Sequence, residues 1–113
     1  MTHPTEKERL VEKWFDKIEV ATNKIKAELR PQGFKELYAI RGGDRSHSLF
    51  SRDDLKDVIV LLVTYNQGVY NVELKSFDPN MVRSLNKHLR PVRRIEKKIE
   101  ELKAYELLGG EHA

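Results

Sequence analysis

A chain of 113 residues with 39% apolar and 35% charged side chains fits one globular domain with a single core. It contains no cysteine, which excludes a disulfide framework and a thiolate metal site. Its longest apolar run, residues 58–63, is far too short to cross a bilayer, so no membrane partner is expected. Net charge is only +3, so the placement of charge, more than its total, has to point to any anionic partner. The opening segment MTHPTEKERL has no apolar h-region, and a cytoplasmic protein is the expectation.

Residues 5–30 read as a first helix. Thr5 and Glu8 make a capping box. Val11, Trp14, Ile18, Ala21 and Ile25 recur three or four apart, with Leu10, Phe15 and Leu29 widening the stripe. Pro31 stops this helix and Gly33 permits the turn. FKELYAI (34–40) reads as a strand, and RGGDRSHS (41–48) as a polar, partly basic loop. Ser51, with Asp54 three residues on, is expected to cap a short helical turn. Residues 58–65 form a strand apolar on both faces, as a central strand is. After the turn NQG, Tyr70, Val72 and Leu74 alternate with Asn71, Glu73 and Lys75 in a half-buried strand.

Asp78 and Pro79 open a last helix, 79–108. Its apolar face is Met81, Leu85, Leu89, Val92, Ile95, Ile99 and Leu102; Pro91 should kink or split it, and Gly109 and Gly110 end it. The predicted fold class is therefore α+β, in the order α-β-β-β-α. Residues 1–113 make a single domain, with a three-stranded, mainly antiparallel sheet (34–77) packed by two long helices.

The hairpin carries the candidate chemistry. A tight turn centred on Asn66 sets Asp57 opposite Lys75, with Glu73 one pair further along, and all three odd-numbered side chains on one face. Asp57 and Glu73 could then share a Mg²⁺ ion, a hard cation that takes carboxylate and water oxygens, with Mn²⁺ as a substitute. Lys75 would stand beside the bound water that attacks a phosphate.

An acid before an apolar strand, a turn and then VELKS resembles the core of the PD-(D/E)xK nucleases, the restriction-endonuclease-like superfamily. The nearest look is to archaeal-type Holliday junction resolvases and small VRR-type nucleases, through QGF (32–34), AIRGGDRSHS (39–48), KDVIVLL (56–62) and YNVELKS (70–76). The resemblance implies a small Mg²⁺-dependent DNA endonuclease, selective for branched DNA. It assigns Asp57, Glu73 and Lys75 as catalytic and adds Glu28 in the first helix as a further acid for the metal.

A second set of residues points to phosphate. Backbone N–H groups of the 41–48 loop, with Arg41, Arg45 and Ser46, could cradle one. Between residues 83 and 98 stand seven basic side chains, Arg83, Lys87, Arg90, Arg93, Arg94, Lys97 and Lys98, against one acid, Glu96. On a helical wheel Arg83, Lys87, Arg90, Arg94 and Lys98 lie opposite the apolar stripe, as a surface tracking a nucleic-acid backbone would. Two alternatives stay open. One is a non-catalytic nucleic-acid-binding module, since double-stranded-RNA-binding domains share the α-β-β-β-α order. The other is a small phage- or plasmid-type interaction protein, a homodimer through its long helices.

Overall fold

Thr5 begins the first helix as its cap requires: Thr5 Oγ1 accepts a hydrogen bond from the Glu8 N–H at 3.1 Å. The computed structural model describes residues 5–43, 45–53, 56–66 and 68–108. Asp54 and the glycines at 109 and 110, invoked above as caps, lie outside the described residues, as does Gln67 of the NQG turn. Helix α1 (Glu6–Leu29) buries Trp14, Ala21, Ile25 and Leu29. Phe15 departs from the expected stripe. It stays 42% exposed at the margin, edge-on to Trp14 and Tyr65. A 3₁₀ turn (Arg30–Gln32) holding Pro31 follows, and Gly33 takes the left-handed conformation (φ 89°) that a side chain would resist.

The sheet has four strands, not three. They are β1 (Lys35–Arg41), β2 (Arg45–Arg52), β3 (Asp57–Thr64) and β4 (Asn71–Ser76), antiparallel and in sequence order. The missed strand is β2, which takes up the second half of the expected RGGDRSHS loop and, at Ser51, the start of the expected helical turn. Its sequence, RSHSLFSR, has one apolar pair and three serines, so local propensity argues for a turn. Pairing on both sides overrides that: the backbone of β2 is hydrogen-bonded to β1 and to β3 along its length.

The β3–β4 register also differs from expectation. Leu62 stands opposite Glu73 and Val60 opposite Lys75, because the connection runs from Tyr65 to Tyr70. Within it the Val69 N–H donates to the Asn66 carbonyl at 2.9 Å and Gly68 has φ 79°. The observed pairing is three residues away from the tight-turn register. An odd shift exchanges the faces of one strand relative to the other. So Ile59, Leu61 and Val63 of β3 share the buried face with Val72 and Leu74 of β4. Val58, Val60 and Leu62 lie on the opposite face with Glu73 and Lys75.

Pro91 divides the last helix as predicted. Helix α2 (Pro79–Asn86) is capped by Asp78, whose Oδ1 accepts from the Asn80 N–H at 2.9 Å. A 3₁₀ turn (Lys87–Leu89) leads into α3 (Arg90–Leu107), and Pro91 sits in the first turn of α3, where its missing N–H costs no intrahelical bond. Helices α1 and α3 pack against each other, and the three helices cover one face of the sheet. There Trp14, Ile25, Leu29, Leu85, Leu89, Val92 and Ile99 meet Phe50, Ile59, Leu61 and Val72 in one core. The outer edge of β4 is closed by α3. The Val72 carbonyl accepts from Arg93 Nη1 at 3.0 Å, and the Glu96 carboxylate lies beside the Val72 backbone. At Val72 an arginine and a glutamate thus stand where a fifth strand would pair.

Candidate nucleic-acid interface

Asp57 opens β3 on the helix-covered side of the sheet and is engaged by Arg52, its cross-strand partner on β2. Arg52 Nε and Nη2 both donate to Asp57 Oδ2, at 3.1 and 2.9 Å. The third nitrogen, Nη1, donates to the Gln32 carbonyl at 3.1 Å, and the guanidinium lies 4.6 Å above the Phe34 ring. The aspartate therefore ties the β2–β3 hairpin to the turn that ends α1.

Glu73 and Lys75 are together, but on the other face. Lys75 Nζ lies 3.7 Å from Glu73 Oε2, and Asn71 Nδ2 donates to Glu73 Oε1 at 3.1 Å. The expected convergence of Asp57 with these two residues does not occur, for the register reason given above. Glu28 is elsewhere again, near the C-terminal end of α1, where Lys87 Nζ lies 2.8 Å and His88 Nε2 3.6 Å from its Oε1. The hydrogen bond from Lys87 holds its carboxyl below the usual value, against the opposing effect of burial. Asp57, Glu73 and Glu28 thus do not form the ligand set that a shared Mg²⁺ ion needs. Among the described residues no group of three or more acids and histidines is placed to hold a metal.

The first phosphate group changes character with the new strand. Arg41 ends β1 opposite Ser46, and Arg45 begins β2, so these residues flank a hairpin and not an open loop. One N–H of its turn is already spent, since the Gly42 N–H donates to the Arg45 carbonyl at 2.7 Å, and Tyr65 fixes the turn by donating to the Gly42 carbonyl at 3.0 Å. Arg41 and Ser46 instead line a cleft of about 500 Å³ between α1 and the β1–β2 ribbon, beside Asn23 and the Lys26–Glu36 ion pair.

The second group holds its geometry. Val92, Ile95 and Ile99 turn α3 toward the core, which leaves Arg90, Arg94, Lys97 and Lys98 exposed along the first half of the helix. Arg83 on α2 is exposed as well. Among the described residues none of these five forms an ion pair, whereas Lys87 is held by Glu28 and Arg93 by Glu96 and Val72. Lys87 is thus paired, unlike the rest of the basic row, and Glu96 is partly buried with partners of its own. Glu96 sits beside Trp14, whose Nε1–H donates to Oε2 at 3.0 Å; burial pushes its carboxyl above the usual value, opposed by the Trp14 bond, Arg93 and the Val72 backbone. Arg41, on β1, lies three strand spacings (~14 Å) and Arg45, on β2, two (~10 Å) from the β4 edge on which α3 packs. The two phosphate-directed groups are separate.

No protein-family model, no curated protein and no solved structure matches this chain. Among the described residues no helix is long and apolar enough to cross a membrane.

Proposed function

We propose that this protein is a non-catalytic nucleic-acid-binding module whose contact surface is the outward side of α3, extended by Arg83 of α2. The observation that carries this reading is the row of exposed basic side chains, Arg90, Arg94, Lys97 and Lys98, without carboxylate partners among the described residues. Arg90 to Lys98 spans about 12 Å along the helix axis. A duplex carries three or four phosphates per strand over about that length. Lysine and arginine on a helix surface reach such a row by releasing condensed counterions, with no need for base contacts.

The test is a titration of labelled duplex DNA and RNA against salt, in EDTA. Three or four phosphate contacts give a log–log slope of roughly −3 to −4. Binding that is absent near physiological salt, or a slope near zero, overturns the reading. A parallel incubation of linear and branched DNA with Mg²⁺ or Mn²⁺ tests the rival endonuclease reading, which the resemblance of residues 28–78 to PD-(D/E)xK nucleases motivates. Cleavage lost in both Asp57→Asn and Glu73→Ala would establish that reading in place of the present one.

A further inference from the structure

The helices turn their buried residues onto one face of the sheet, and the sheet's second face is left without such a cover. Its second face carries Tyr38 and Ile40 of β1, Leu49 of β2 and Val58, Val60 and Leu62 of β3. Tyr38 and Ile40 are 46% and 49% exposed, and no described helix packs over this side. Extension at the strand edges is disfavoured. Arg93 and Glu96 stand against the β4 edge at Val72, and β1 carries Lys35 and a bulge at Leu37, all of which hinder pairing with another strand.

We infer that this face packs against the same face of a second copy, giving a two-fold dimer whose centre is a two-sheet sandwich. Charge complementarity selects the occupant. The register places Ile40, His47, Leu62 and Glu73 in one row across the sheet, and Tyr38, Leu49, Val60 and Lys75 in the next. A two-fold axis in the interface plane, perpendicular to the strands and between these rows, lays one row on the other row of the partner. Glu73 then meets Lys75 of the second copy, and Lys75 meets its Glu73. Leu62 meets Val60, His47 meets Leu49, and Ile40 meets Tyr38. In these rows no like charges oppose each other, and the apolar side chains fall on apolar or aromatic ones. Aligned sheets pack in this way, with strand directions within about 30° and about 10 Å between them.

Area is consistent with a second copy. With strands ~4.8 Å apart and same-face residues ~6.8 Å apart, four strands by four rows give roughly 500 Å² of plane per copy. The pair buries about 1,000 Å² before side-chain relief is counted, which is where specific interfaces begin. The interface leaves the α3 surface free on both outer sides, so this inference is independent of the nucleic-acid reading.

The experiment is sedimentation equilibrium of the full chain over a micromolar concentration series, with circular dichroism of each variant. Wild type should sediment at twice its 13.2 kDa mass. Leu62→Glu should give a folded monomer. Because a glutamate there could also disturb folding, the decisive variants are on the rim. Glu73→Lys and Lys75→Glu should each weaken the dimer about tenfold, and the double reversal should recover most of the wild-type affinity, as a direct pair coupling requires. A monomeric wild type, or a double reversal as weak as the singles, overturns the inference. So does a dimer indifferent to Leu62→Glu and to both reversals, because that dimer uses another surface.

Discussion

Arg52 closes two of its nitrogens on a single oxygen of Asp57, at 3.1 and 2.9 Å, while its third reaches back to the Gln32 carbonyl. One guanidinium thereby joins β2, β3 and the turn after α1. The acid that the sequence offers as a metal ligand is the anchor of this junction.

Replacing Asp57 by alanine should lower the unfolding free energy by about 1–2 kcal/mol, because a charge-assisted fork is lost and Arg52 keeps, among the described residues, Gln32 and Phe34. Asp57→Asn retains an acceptor and should cost less. Urea titration of the two variants checks both the loss and its order.

Glu28 gives the fold an acid-sensitive contact. Its carboxyl is held below the usual value, so its contribution is complete above about the ordinary 4.5 and is lost as pH falls through the lowered folded value. Lys87 is half-exposed, which limits the pair to about 0.5–1 kcal/mol after solvent screening. In Glu28→Gln, stability measured from neutral pH down to pH 3 should therefore fall less steeply than in wild type.

Glu96 works in the opposite sense. Burial raises its folded value above 4.5, so the protonated form is favoured in the fold; stability is greatest below the unfolded value and declines as pH rises through the folded one. Glu96→Gln should remove that decline just above pH 4.5. Trp14, the chain's single tryptophan, donates to Glu96, so its fluorescence reports both the unfolding and the local titration.

Arg90→Glu with Arg94→Glu should weaken nucleic-acid binding for all sequences alike and flatten the salt slope by about two units. Both side chains are exposed and unpaired among the described residues, so thermal stability should change by no more than about 0.5 kcal/mol. Binding unchanged in this variant would move the contact surface to the Arg41 and Ser46 cleft.

The parts of the fold that were legible are those with a local cause. Thr5, Asp78 and Pro91 act within one turn of their own positions, so caps and the helix break follow from composition. The exposed basic row on α3 was legible for a similar reason: once Val92, Ile95 and Ile99 are set inward, 3.6-residue periodicity fixes what faces out.

What the sequence by itself determined is an α+β chain with two capped helical arms, a break at Pro91 and a basic outer surface. The tertiary structure decided the rest. β2 exists because two neighbours hydrogen-bond a serine-rich segment that has little strand preference of its own. The fate of Asp57, Glu73 and Lys75 hung on a turn longer than the short NQG signal suggests. Side chains alternate with a period of two, so an odd shift in pairing sends Asp57 to Arg52 on one face and leaves Glu73 with Lys75 on the other.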